Sequence, residues 1–145
     1  MLVDANILLF AVDAEAALHR PAAEWLTTQL NGERRVGLPW QSLSAFLRIA
    51  THPRASAHPL GPAAAWAFVA DWLAVPVAWI PTPTERHAEI LGRLIRTHAI
   101  AGNLVPDAHL AALAIEHGLQ VCSADTDFAR FPEVRWHNPL TEARR

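Results

Sequence analysis

The chain has 145 residues, 52% of them hydrophobic and 18% charged, with a formal net charge of −2. That length is one domain, large enough for a sizeable core, and the composition excludes a disordered chain. The charge does not advertise nucleic-acid binding, which usually shows as a basic excess, although every basic side chain is arginine, whose planar fork suits phosphate.

The single cysteine, Cys122, excludes an internal disulfide and fits a reducing compartment. No basic-then-apolar leader opens the chain, so a cytoplasmic protein is expected. The longest apolar stretch, residues 61–80, is broken by Asp71 and Pro76 and reads as a helix followed by a strand rather than a membrane span. The eight histidines have no spacing typical of a zinc site.

An apolar strand begins almost at Met1 and delivers one carboxylate, Asp4, with Asn6 two residues on. Burying a lone carboxylate is costly, so Asp4 either caps the segment after it or binds a cation at the carboxyl end of a central strand. Residues 7–12 continue as a short helix or turn. Residues 19–30 form an amphipathic helix with Leu18, Ala22, Trp25, Leu26 and Leu30 as its apolar stripe, stopped by Asn31-Gly32. Residues 35–38 are a second short strand. A helix over 40–51 buries Leu43, Phe46, Leu47 and Ala50, carries Arg48, and closes at His52-Pro53.

Three prolines and one glycine make residues 53–62 a loop. The next helix, 63–74, carries Trp66, Val69, Ala70 and Leu73 on one side. Residues 75–80 form a third strand, pushed by Pro76 to a sheet edge or start. Thr84 is expected to cap a helix over 85–98 that carries Arg86, Arg93 and Arg96. Pro106 and Gly118 bracket a helix over 107–117, rich in alanine and able to pack closely on a sheet. Residues 119–123 form a fourth strand. Asp125 or Thr126 then caps a last helical turn through Phe131, residues 134–136 form a fifth strand, and Asn138-Pro139 begins the tail.

Strands alternating with helices predict an α/β protein, a single domain over 1–145 with a mostly parallel sheet covered on both faces. In such a sheet the strand carboxyl ends share one edge, so Asp4, Asp107, Asp125 and Asp127 converge there. Clustered carboxylates repel, and a divalent cation removes the penalty. An all-oxygen set favours Mg2+, with Mn2+ as an alternative, and Mg2+ takes only one or two direct carboxylates. Asp4 and Asp107 are the expected ligands, with Asp125 and Asp127 holding waters on the ion or orienting it. Such an ion lowers the pKa of a bound water and offsets charge on a phosphoryl group, which suits phosphodiester hydrolysis.

Four segments carry a resemblance. Val3-Asp4-Ala5-Asn6 resembles the first acidic motif of PIN-domain nucleases, and residues 46–53, Phe-Leu-Arg-Ile-Ala-Thr-His-Pro, resemble a helix segment of the VapC toxins in that superfamily. The run from Asp107 to Ala114 resembles their third acidic motif, and the run from Ser123 to Phe131 their last. The resemblance spans residues 1 to about 140. It implies a PIN-like three-layer α/β/α sandwich, magnesium-dependent endoribonuclease activity on RNA, a VapB-type antitoxin partner and a homodimer. Asn6 and Ser123 fall within the matched motifs as supporting residues.

The sequence departs from the pattern at Ala45, where many PIN domains carry a glutamate. Neighbouring Gln41, Ser42 and Ser44 supply no charge. The gap leaves room for a binding module that docks an antitoxin or RNA without strong chemistry. A haloacid-dehalogenase-type phosphatase would need a second aspartate where Asn6 stands. Arg48, Arg93 and Arg96 are the candidates for steering RNA to an acidic site. Trp25, Trp40, Trp66 and Trp72 exceed what one small core needs, so some are expected at an interface with a second subunit or an antitoxin segment.

Overall fold

A computed structural model describes residues 1–142. Five short parallel strands form one sheet, β1 (Leu2–Val3), β2 (Val36–Gly37), β3 (Ala78–Trp79), β4 (Val121–Cys122) and β5 (Trp136–His137), in the spatial order β3-β2-β1-β4-β5. The helices are α1 (Ala5–Val12), α2 (His19–Leu30), α3 (Trp40–Ala50), α4 (Pro62–Ala74), α5 (His87–His98), α6 (Val105–His117) and α7 (Pro139–Glu142). Short 3-10 turns lie at Gly102–Leu104 and Thr126–Arg130.

The central strand is buried on both faces, and its two residues divide the molecule. Leu2 packs into one core with Ile90 and Leu94 of α5, the alanines and leucines of α6, and Phe128 and Phe131. Val3 packs into the other with Ile7, Leu26, Leu43, Phe46, Val69 and Trp72. Successive strand residues point to opposite faces, so this split is the direct expression of an α/β/α sandwich. Gly37 lets β2 approach β1 closely, because a Cβ there would stand 2.9 Å from both the Met1 carbonyl and Pro81 Cγ. No helix among the described residues is long and apolar enough to cross a membrane.

Several sequence expectations are met in detail. The strand with Pro76 before it, β3, is an edge strand. Pro106 sits in the first turn of α6, and Gly118 ends that helix at φ 65°. The buried stripes of α2 and α3 fall as expected, with Ala22, Leu26, Leu43, Phe46 and Ala50 buried.

Others are corrected. Helix α1 starts at Ala5 rather than residue 7, because Asp4 caps it. The inward face of α4 is Ala65, Val69 and Trp72, leaving Trp66 50% exposed. That helix is apolar nearly all round, so its pattern does not set its rotation. Thr84 does not cap α5, which begins at His87. Instead, the Thr84 amide and hydroxyl both donate to Glu116, at 2.8 and 2.7 Å. Strand β5 is shifted to Trp136–His137, and Leu140 of the tail is buried in α7.

Candidate active site

Strand order places β1 and β4 side by side, with the chain departing toward β2 on one side and β5 on the other. Ligands of open α/β sheets bind at such a switch point, outside the strand carboxyl ends. Asp4 follows β1 there, and Ser123 follows β4.

The capping expectation for Asp4 holds. Its Oδ1 accepts from the Ala5 amide at 2.7 Å, a helix cap. Its Oδ2 accepts from Ser123 Oγ at 2.7 Å and from Asn6 Nδ2 at 3.2 Å. Ser123, fully buried, also accepts from Asn6 Nδ2 and from the Asp125 amide, each at 3.0 Å. Asn6 Oδ1 accepts from the Ala124 amide at 3.2 Å. These bonds tie β1, α1 and the turn after β4 into one unit around the Asp4 carboxylate. Burial pushes the Asp4 carboxyl above its usual range, the Ser123 and Ala5 bonds pull it down, and the charge of Asp125 adds to the rise.

Asp107 enters from the first turn of α6. It comes together with Asp125 and Asp127, each offering an oxygen within 4.8 Å of the others. Burial, then the charges of Asp125, Asp4 and Asp127, push Asp107 up to about 7. Asp125 caps the 3-10 turn through the Asp127 amide at 2.8 Å, and Arg130 Nε donates to Asp127 at 3.4 Å. The expected ligands Asp4 and Asp107 line one pocket of about 240 Å3 with Gln41, Ala45, Val105, Pro106, His109 and Leu110. The tightest grouping is the trio Asp107, Asp125 and Asp127, with Asp4 beside it. Crowded carboxylates on an all-oxygen donor set fit a hard divalent cation. Ala45 lines the same pocket, so the gap in the acidic pattern lies at the site itself.

The basic candidates are all exposed, and none of them lines the carboxylate pocket. Arg48 is exposed on α3 three residues beyond Ala45, hence on a neighbouring part of the helix surface. Arg93 is paired with Glu89 at 2.6 Å. Arg96 is exposed in the last turn of α5, toward the connection that leads to α6.

Three contributors escaped the sequence reading. Ser42 is buried and donates to the Val3 carbonyl at 2.6 Å, which fixes the end of β1 just before Asp4. Trp136 Nε1 donates to the Ser123 carbonyl at 3.0 Å. His109 meets Gln41 across the pocket, Nε2 to Nε2 at 3.0 Å. Only His109 had a signal available, standing two residues after Asp107. Of the four tryptophans of which some are expected at an interface, Trp72 packs edge-on to Phe46 in the core and Trp25 packs against it, while Trp40 and Trp66 are exposed.

Comparison with known proteins agrees with this geometry. The PIN domain family model matches residues 1–134. Ribonuclease VapC37 of Mycobacterium tuberculosis is 49% identical over 138 residues, covering 95% of this chain and 96% of that protein. Ribonuclease VapC33 of the same organism is 41% identical over 142 residues, covering 98% and 99%. Among solved structures, M. tuberculosis VapC20, a toxin that cleaves the sarcin-ricin loop, superposes with a TM-score of 0.67 at 21% identity, covering 92% of this chain and 98% of that one. A chain of VapBC2 from Rickettsia felis, bound to a DNA fragment from its promoter, superposes with a TM-score of 0.66 at 15% identity, covering 94% and 96%.

Proposed function

The chain belongs to the PIN-domain family, and from that premise we propose that it is a metal-dependent endoribonuclease, the toxin of a type II toxin–antitoxin pair. One observation carries the reading: Asp107 lies within reach of Asp125 and Asp127 and shares a pocket with Asp4, at the switch point of the sheet. Near-full-length relatives named as VapC ribonucleases support the same activity.

Mg2+, with Mn2+ as the alternative, is the proposed cofactor, held by Asp4 and Asp107 with Asp125 and Asp127 completing its surroundings. When bound, the ion supplies an activated water and charge stabilisation at a phosphoryl group. The protein's own part is positioning. Ser123 and Asn6 hold the Asp4 carboxylate in one orientation. The α6 N-terminus favours a negative charge at Asp107. Arg48, Arg93 and Arg96 draw the RNA backbone toward an edge that its own carboxylates would otherwise repel.

The proposed partner is a VapB-type antitoxin, supported by the VapBC assemblies among the structures of the same fold. An arginine from such a partner would neutralise the carboxylate cluster. Exposed Trp66 and Phe68 on α4 suit a homodimer or antitoxin contact. Ala45 at the pocket favours a second reading, a binding module with weak chemistry. RNA cleavage in Mg2+ that disappears in Asp4→Asn and Asp107→Asn supports the nuclease. RNA or antitoxin binding with no cleavage at any Mg2+ or Mn2+ concentration supports the binding module.

A further inference from the structure

A line of polar side chains runs along the contact of α5 with α6 into the carboxylate pocket. It starts at Glu116 of α6, which accepts both bonds from Thr84 and a third from His87 Nδ1 at 2.6 Å. The bond makes His87 Nδ1 a donor and fixes that ring against α6. The His87 ring then packs on the His109 ring, with centroids 4.7 Å apart. His109 meets Gln41 of α3 at 3.0 Å, and both line the pocket that holds Asp4 and Asp107.

This line is not needed to hold α5 on α6, because Ile90 and Leu94 already bury that contact. Nor does it hold a carboxylate of the site. What it does is present a rigid imidazole and an amide edge on the pocket wall. Gln41 makes no other side-chain hydrogen bond among the described residues, so the rest of its amide is available to a ligand. Exposed apolar surface flanks the wall. Val105, on the pocket itself, is 40% exposed. A flat ring beside an amide edge suits a nucleobase, which offers a π-face and a hydrogen-bonding edge together.

We propose that His109 and Gln41 form a base-binding wall for the nucleotide next to the scissile phosphate of single-stranded RNA, with His87 and Glu116 as positioning residues that hold the His109 ring. The inference rests on the nuclease reading. It adds that the pocket reads a base as well as binding a backbone.

Cleavage sites mapped in total RNA give an oligonucleotide spanning one site, from which each flanking base is removed in turn to leave an abasic nucleotide. Loss of one base should raise KM of the parent protein roughly 10-fold, in keeping with the worth of a stacked base. His109→Ala and Gln41→Ala should raise KM on the intact strand by a similar factor and lose their sensitivity to that abasic position. His109→Phe, which keeps a ring, should recover part of the effect. The same pattern should appear in RNA affinity measured in EDTA, and calorimetric Mg2+ affinity should be unchanged in all three variants. Variants that keep the parent's abasic sensitivity, or that lose Mg2+ binding in step with RNA binding, overturn the base-binding wall while leaving the nuclease reading intact. A parent protein that cuts no RNA in Mg2+ overturns both.

Discussion

Asp107→Asn separates the two effects of one carboxylate, which destabilises the metal-free fold and recruits the ion. Burial and the charges of Asp125, Asp4 and Asp127 raise Asp107 from 3.8 to about 7 in the folded protein. The unfolded chain therefore releases this proton first. Metal-free stability falls as pH rises from about 4 to about 7, and the loss is complete above that. A rise of this size corresponds at most to about 4 kcal/mol. Asp107 is partly exposed, and solvent screening leaves roughly 1–2 kcal/mol. Asparagine keeps the shape without the charge. In EDTA at pH 8 the variant should melt about 3–8 °C above the parent, taking roughly 3–4 °C per kcal/mol for a chain of this size. The gap should close toward pH 4. Saturating Mg2+ should reverse the order, because the parent gains about 2.7 kcal/mol at a hundred times Kd and the variant gains much less. Differential scanning calorimetry across pH 4–8, with and without MgCl2, reads both effects. A variant that melts below the parent at pH 8 in EDTA, or that gains as much from Mg2+, refutes the reasoning.

Ser123→Ala removes the hydroxyl that joins Asp4, Asn6 and Asp125, so urea denaturation should show a loss of about 1–3 kcal/mol and cleavage should fall at least several-fold. Ala45→Glu places a further carboxylate on the pocket wall; it should tighten Mg2+ binding in calorimetry and lower the metal-free melting temperature. Arg48→Ala should lower the cleavage rate more than RNA binding. The double change Arg93→Ala, Arg96→Ala should weaken binding and reduce its salt slope by up to about 1.4 units, at roughly −0.7 per phosphate contact on a single strand, as measured by RNA affinity against salt concentration.

The fold and the acidic edge were legible because both follow from local pattern. A parallel sheet brings strand ends to one edge, so Asp4, Asp107, Asp125 and Asp127 could be gathered from positions far apart in the chain. Pro106 and Gly118 marked α6 because one lacks an amide proton and the other tolerates a left-handed turn. The rotation of α4 was not legible, since a helix apolar on nearly every side has no phase to read. Thr84 looked like a cap, and the structure gives its donors to Glu116, 32 residues away. The Gln41–His109 contact spans 68 residues, and no spacing rule reaches across that distance. Ser42 was set aside for lacking a charge, yet its hydroxyl holds the carbonyl that precedes Asp4.

The most direct test is the mapping of RNA 5′ ends after incubation with the purified protein in EDTA, in Mg2+, and in Mg2+ with Asp4→Asn in place of the parent. A metal-dependent nuclease built on these carboxylates predicts new ends at defined positions with the parent in Mg2+ alone. Ends that persist in EDTA or with Asp4→Asn, or that never form with the parent in Mg2+, would contradict it.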